Sequence, residues 1–343
     1  MNLRLPAGVF SNEIGIDLGT ANTLLFVRGQ GVVVSEPSIV AVDRTRNSVI
    51  AVGQAAKAML GRTPANIDVV RPLRSGVIAD FEVAQTLLRE LIGRVQPRGK
   101  LFRPRVVIGV SSCTTQVEKR AVREAAMQAG AQAVYLVEEP MAAAIGAGIP
   151  IQEPSGHLIV DIGGGTTEVA VLSLSGIVYC QSVRSGGDDM NESITQYIKK
   201  HYNLLVGERR VEEFKLALGT ARPAGEGPRT IQIKGSDIVA RVPKIITINE
   251  EEVREALYDS VGTIVETVRV CLERIPPEIA ADMVDNGIVL TGGGALLAGL
   301  DEIIRKETYL PVTVAPDPLS CVARGIGALL EDMTLLKRVA LEQ

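Results

Sequence analysis

The chain has 343 residues, 36 Lys and Arg against 40 Asp and Glu, and a formal net charge of −4, so its bulk charge excludes a typical nucleic-acid binder. Hydrophobic residues make up 46% with a mean hydropathy of +0.21, which excludes a disordered chain; the length suggests two or three domains. Aromatics are only 3% and Trp is absent, so the apolar content is aliphatic and, with 34 Gly, suits buried sheets joined by tight turns.

The N-terminal run from Met1 to Phe10 lacks an apolar core long enough for a secretory signal. The uncharged stretches Val169–Val183 and Asn286–Leu300 are too short and too broken by Ser or Gly for a spanning helix, which needs about 20 residues. Cys113, Cys180, Cys271 and Cys321 form no CxxC pair and read as buried, reduced residues. His157 and His201 are the only histidines, which argues against a zinc site or a His-based triad.

In chain order, Ile14-Gly-Ile-Asp17-Leu-Gly19-Thr20 followed by Thr23-Leu-Leu-Phe-Val-Arg28 reads as strand, Gly/Thr turn, strand, with a third strand at Val32–Ser35. Apolar residues from Phe81 to Val95 recur at helical spacing. Strand Val106–Val110, helix Gln116–Ala129, strand Val134–Val137 and helix Pro140–Ala147 complete a first half. Then the pattern repeats: Leu158-Ile-Val-Asp161-Ile-Gly163-Gly-Gly-Thr166, strand Thr167–Ser173, strand Ile177–Gln181 and a helix marked by Met190, Ile194, Tyr197 and Ile198. Strand Ile288–Leu290, helix Ala295–Lys306, strand Val312–Ala315 and helix Leu319–Leu330 close the second half.

Both halves therefore read βββαβαβα, an α/β layer structure with a mixed sheet. The first half is expected over 1–149 with an insertion near 30–72, and the second over 150–343 with an insertion near 202–286. The second insertion holds a charged helix near Glu212–Leu218, a strand pair near Thr230–Val242 and a long helix near Glu250–Arg274.

Two Gly/Thr turns, each behind a buried strand that ends in Asp, suit a phosphate: Gly lets backbone approach it and turn N–H groups can face its oxygens. An Asp beside that anion requires a bridging cation, and Mg²⁺ takes one or two carboxylates, waters and phosphate oxygens. One such turn alone would be an ordinary hairpin; two in register point to a triphosphate gripped in a cleft between the halves. Leu290-Thr-Gly292-Gly293-Gly294-Ala295 is a third turn, either a tight strand-to-helix connection or backbone lying flat against a base. Walker and GxGxxG patterns are absent. Val137-Glu138-Glu139-Pro140 puts a carboxylate at a helix start, suited to orienting a water or simply to complementing the helix dipole, with Thr166 as a partner for that water or the last phosphate.

These residues resemble the actin, sugar-kinase and heat-shock-chaperone ATPase superfamily, and most closely the bacterial MreB actin-like proteins. The resemblance rests on Ile16-Asp-Leu-Gly-Thr-Ala-Asn-Thr-Leu24, Arg71-Pro-Leu-Arg-Ser-Gly-Val-Ile-Ala-Asp-Phe81, Glu138-Glu-Pro-Met-Ala-Ala-Ala-Ile-Gly146, Val160-Asp-Ile-Gly-Gly-Gly-Thr-Thr-Glu-Val169 and Leu290–Ala295. Tyr202–Glu208 and Pro318–Gly325 extend it. It implies duplicated ribonuclease-H-like halves, ATP and Mg²⁺ as cofactors, slow ATP hydrolysis, self-association into protofilaments and a role in rod cell shape through cell-wall elongation. By the resemblance, Asp17 and Asp161 face Mg²⁺ largely through water. Gly19, Thr20, Ala21 and Asn22 form the first phosphate loop and Gly163, Gly164, Gly165 and Thr166 the second. Glu139 and Thr166 position the water, Glu212 and Lys215 reach the nucleoside, and Gly292, Gly293 and Gly294 back the adenine. A surface ion pair is the plainer account of Glu212 and Lys215. The chain departs from the family pattern at Asn191, where Asp is usual, at Ile326, where Thr is common, and at Arg209-Arg210-Val211.

The resemblance also implies a cytoplasmic protein lying on the inner face of the cytoplasmic membrane, near membrane proteins of the elongation machinery, with no nucleic-acid partner. Two segments suit lipid contact: Leu3, Leu5, Val9 and Phe10, and Leu101-Phe102 within Arg98-Gly-Lys-Leu-Phe-Arg-Pro-Arg105. A loop folded back on its domain is the alternative for the second. A sugar-kinase- or chaperone-type ATPase of the same fold, or an organelle-aligning relative, are the competing functions.

Overall fold

The computed structural model describes residues 13–46, 48–96, 103–223 and 227–342. The chain divides into two compact units: Met1–Ser155 with Leu172–Val178 and Leu319–Gln343, and Gly156–Val171 with Tyr179–Pro318. The last segment of the chain thus packs with the first half, a grouping that the linear division at 149/150 does not contain.

The first unit begins with β1 (Glu13–Leu18), β2 (Asn22–Val27) and β3 (Gly31–Pro37), an antiparallel meander. A small sheet follows, of β4 (Val40–Asp43), β5 (Ser48–Val52) and β6 (Ile67–Val70), with α1 (Gln54–Met59) packed on it through Ile39, Ala41 and Ala56. β3 belongs to the main sheet, so the insertion proper begins after it, later than residue 30. The hairpin β7 (Leu73–Arg74) and β8 (Val77–Ile78) leads to α2 (Phe81–Val95), whose N-cap Asp80 accepts from Val83 N–H at 3.0 Å. Then come β9 (Arg105–Val110), α3 (Gln116–Gln128) behind a Thr115/Glu118 capping box, β10 (Ala133–Glu138) and α4 (Glu139–Gly146).

The sheet order is β10-β9-β1-β2-β3, with β9 parallel to both β1 and β10. Alternation along β1 decides the layers. Ile14 and Ile16 are fully buried with Leu87, Leu88, Leu91 and Ile92 of α2 and Val122, Ala125 and Ala126 of α3. On the opposite face a Cβ at Gly15 would press on Ile326, and one at Gly109 would crowd Val322 and Ile326. A Cβ at Gly325 would overlap the Ala142 carbonyl, so this C-terminal helix lies against α4 backbone to backbone.

The second repeat has β11 (His157–Ile162), β12 (Thr167–Ser173), β13 (Gly176–Val183) and α5 (Gly187–Tyr202). The inserted part holds β14 (Leu204–Leu205), α6 (Glu208–Leu218), β15 (Thr230–Asp237), β16 (Pro243–Asn249), α7 (Glu250–Arg274) and α8 (Pro277–Asn286). The strand pair starts at Thr230 as expected but ends later, at Asn249, because β15 runs to Asp237 and its partner starts at Pro243. β17 (Ile288–Thr291), α9 (Leu300–Thr308), β18 (Val312–Val314), α10 (Cys321–Glu331) and α11 (Met333–Val339) follow. The helix expected over Ala295–Lys306 is split: a 3₁₀ turn, Gly293–Leu296, precedes α9, and Gly299 at φ 75° separates them. The stretch after Glu331 carries α11, capped by Asp332.

The second sheet is ordered β13-β12-β11-β17-β18. In both sheets the strands therefore run third, second, first, fourth, fifth, the topology a duplicated βββαβαβα unit requires. The second core gathers Val160, Ile162, Val169 and Val171 from the sheet with Ile194, Ile198, Phe214, Leu257 and Ile264 from α5, α6 and α7. Of the cysteines, Cys271 and Cys321 are buried as expected, whereas Cys113 is exposed and Cys180 half-buried; all are free thiols. Among the described residues no helix is long and apolar enough to cross a membrane.

Candidate functional site

In the first unit Asp17 lies at the C-terminal end of β1, half-buried, paired across the sheet with Leu24 and Gly109. The following turn, Gly19–Asn22, is tight: a Cβ at Gly19 would stand 2.7 Å from the Asn22 carbonyl oxygen. Side chains fasten it. Ser38 Oγ donates to the Gly19 carbonyl at 2.6 Å, and Ser38 N–H donates to the Ala21 carbonyl at 2.9 Å. Ser38 Oγ also lies 2.8 Å from Thr23 Oγ1. From the β7–β8 hairpin, Gly76 N–H donates to Thr20 Oγ1 at 2.9 Å. That hairpin turns through Ser75 and Gly76, both at positive φ.

Glu139 opens α4 beside Pro140, at the same end of the parallel strands as Asp17, because Gly109 pairs with both Asp17 and Val137. A Cβ on Gly109 would meet Glu139 Cγ at 3.4 Å. The preceding Glu138 has its carboxyl pushed up by burial, partly offset by Lys119. The structure thus brings Asp17 and Glu139 to one edge of one sheet, the C-terminal edge where ligands of open α/β sheets bind.

In the second unit Asp161 is buried on β11, in register with Thr291 of β17. Thr291 Oγ1 donates to Asp161 Oδ1 at 2.9 Å. Burial pushes the Asp161 carboxyl up to about 6, against the lowering effect of that hydrogen bond. The turn after it closes on itself through Gly163 N–H to the Thr166 carbonyl at 2.8 Å, with Thr166 buried. Its outward carbonyls take the first amides of α5: Gly187 N–H donates to Gly163 O at 3.0 Å and Asp188 N–H to Gly164 O at 2.7 Å. A Cβ at Gly186 would lie 2.7 Å from Gly163 O, which excludes a larger residue there.

Glu212 and Lys215 share one face of α6 and pair at 2.8 Å. Unlike a solvated surface pair, the Lys215 side chain is only 11% exposed, and Nζ also donates to the Gly187 carbonyl at 2.8 Å. Asn191 Nδ2 donates to Glu212 Oε2 at 2.6 Å. The departure from Asp at this position thus places a neutral donor beside Glu212. The chain Asn191, Glu212, Lys215, Gly187, Gly163 joins the expected nucleoside residues to the expected phosphate turn. At the third turn, Gly292 has φ 79° and donates to the Pro318 carbonyl at 2.9 Å; a Cβ there would overlap the Ile162 carbonyl, and one at Gly294 would overlap the Ile162 side chain. Gly292–Gly294 therefore lies flat on β11, beside Asp161.

Among the described residues no three His, Cys, Asp or Glu side chains cluster as a metal cage. The donor set nevertheless fits Mg²⁺ held with a nucleotide, which needs few protein carboxylates. Asp161 is a buried carboxylate whose charged form lacks solvent, and a cation would restore it. Sequence reasoning missed Ser38, Gly76, Asn191 as a Glu212 partner and Thr291 as an Asp161 partner. Gly76 and Thr291 lay in quoted stretches and Asn191 was a noted departure from the family pattern, whereas Ser38 had no local signal. The membrane candidates Leu3, Leu5, Val9, Phe10, Leu101 and Phe102 lie outside the described residues.

The chain is similar to known proteins over nearly its whole length. A family model described as MreB/Mbl protein matches residues 11–338. The chain is 52% identical over 329 residues to the cell shape-determining protein MreB of Escherichia coli K12, covering 94% of each. It is 47% identical over 330 residues to the cell shape-determining protein Mbl of Bacillus subtilis 168, covering 96% of this chain and 99% of that one. The crystal structure of MreB5 of Spiroplasma citri bound to AMPPNP matches with a TM-score of 0.90 and 39% identity over 96% of this chain and 98% of that one. A MamK double helical filament matches with a TM-score of 0.78 and 23% identity over 94% and 99%, a likeness of fold alone.

Proposed function

The chain belongs to the MreB/Mbl family, and from that premise we propose that it is an ATP-dependent actin-like filament protein that sets rod cell shape by organising cell-wall elongation. The observation that carries this reading is the duplicated strand order with an Asp and a Gly/Thr turn at the same place in each repeat. The relatives named for cell shape and the structural neighbours bound to AMPPNP and ADP support it.

In this reading the second unit supplies Asp161 toward Mg²⁺, Gly163–Thr166 to the phosphates, Glu212 and Lys215 to the nucleoside and Gly292–Gly294 to the adenine. The first unit supplies Asp17 toward the cation and the Gly19–Asn22 turn to the phosphates. Bound Mg²⁺ would neutralise phosphate charge. Turn amides and the α5 dipole add fixed positive potential. Glu139 and Thr166 orient the attacking water, and hydrolysis is slow. ATP favours the conformer that assembles, and hydrolysis weakens the filament, a population shift set by differential affinity. The filament lies on the inner face of the cytoplasmic membrane through residues 1–10 and Leu101-Phe102, beside elongation-machinery membrane proteins.

Sedimentation with ATP, with ADP and without nucleotide tests the assembly reading. ATP-promoted pelleting is expected. Failure to pellet in any state, with ATP binding intact, would instead favour a soluble kinase- or chaperone-type ATPase. For the membrane, deletion of residues 1–10 together with Leu101→Ser and Phe102→Ser is expected to abolish co-sedimentation with anionic liposomes; unchanged co-sedimentation would overturn that part.

A further inference from the structure

The carboxylate of Asp161 takes a hydrogen bond from Thr291, a residue that the nucleotide reading does not use. Thr291 is fully buried, and its single hydroxyl proton has two acceptors in range: Asp161 Oδ1 at 2.9 Å and the Val160 carbonyl at 3.4 Å. The shorter, charge-assisted bond is the stronger. Thr291 and Asp161 are register partners on parallel strands, so the donor is fixed by the sheet and not by a mobile loop. The next residue acts on the same oxygen. A Cβ at Gly292 would stand 2.8 Å from Asp161 Oδ1, so the absence of a side chain there is what leaves Oδ1 its place. Thr291 and Gly292 together enclose Oδ1.

We propose that Thr291 is a positioning residue for nucleotide-bound magnesium: it fixes Asp161 Oδ1 so that the other carboxylate oxygen, Oδ2, faces the cation. This rests on the reading of Asp161 as a magnesium-facing residue. A valine at 291 has nearly the same shape but no donor. Asp161 Oδ1 would then lose the donor that fixes it, and the carboxylate would rotate and face the cation poorly aimed. Hydrogen-bonded partners of metal-facing carboxylates typically change metal affinity about tenfold or more when removed.

The test is calorimetric ATP binding to the full chain, with magnesium and with EDTA, for the unaltered protein, Thr291→Val and Thr291→Ser. The readout is the gain in affinity that magnesium confers. We expect Thr291→Val to lose about tenfold of that gain while its affinity in EDTA is unchanged, and Thr291→Ser, which keeps the hydroxyl, to retain the gain. A full magnesium gain in Thr291→Val would overturn the proposal. So would equal losses with magnesium and with EDTA, because a merely structural role lowers both. If the unaltered protein binds ATP with no magnesium gain, the cation reading of Asp161 fails and the proposal falls with it.

Discussion

The two repeats place an aspartate and a glycine turn at the same point of the same topology, yet they secure them differently. In the first, Asp17 is half-buried and two hydroxyls help to fasten its turn, Ser38 Oγ on the Gly19 carbonyl and Thr20 Oγ1 under Gly76 N–H, beside one backbone bond from Ser38 to Ala21. In the second, Asp161 is buried, and its turn is fastened by backbone, with Gly163 and Gly164 carbonyls taking the first amides of α5. A backbone-tied turn is fixed by helix geometry; a side-chain-tied turn depends on a few hydroxyls. The second repeat therefore holds the more desolvated aspartate of the pair.

The largest expected consequence concerns Asp161 itself. Its pKa is raised in the fold, so the folded state holds a proton that the unfolded chain releases between about pH 4 and 6. Stability from this group is thus full below about pH 4, falls as pH rises to about 6, and is then constant. Asp161→Asn removes the dependence. The stability of Asp161→Asn minus that of the unaltered protein, from urea melts without nucleotide, should widen from pH 4 to 6 by up to about 3 kcal/mol and then level off. A gap that does not change with pH would break the contrast in burial.

Next in size is binding. Asp161→Ala should weaken magnesium-dependent ATP binding about a hundredfold, and Asp17→Ala less, about tenfold, because charge acts more strongly in the drier environment. Calorimetric affinities in the same order would sharpen the comparison; equal losses would erase it.

Glycines give a smaller effect. Gly292→Ala puts a Cβ onto the Ile162 carbonyl at φ 79° and should cost about 2 kcal/mol in thermal or urea unfolding. Gly163→Ala meets the Thr166 carbonyl at 3.4 Å and Thr166 Oγ1 at 3.8 Å, ordinary contacts, and should cost less than about 1 kcal/mol. The smallest is Ser38→Ala, expected at about 0.5 kcal/mol, with faster hydrogen exchange confined to the Gly19–Asn22 turn. Global loosening there would contradict a turn held by local hydroxyls.

Much of this architecture was legible in the chain. The helix expected over Glu250–Arg274 has those bounds because Asn249 and Glu252 form a capping box and an apolar stripe runs its length. Asp17, Asp161 and the glycine turns were legible because strand-turn-strand spacing is local. The ties between them were not. Ser38 reaches Gly19 and Thr291 reaches Asp161 only once strands are paired. The broken helix after Gly292 was missed because apolar spacing continued across a point where Gly299 takes positive φ.

By itself, the sequence determined the repeat, the two Asp-bearing turns and the family, since each depends on residues close in the chain or on overall likeness. Only the tertiary structure decided which carboxylate is buried, which hydroxyl aims it, and that α10 joins the first unit. Desolvation and close backbone approach, as at Gly146 and Gly325, arise from residues far apart in sequence and exist only when the sheets and helices are assembled.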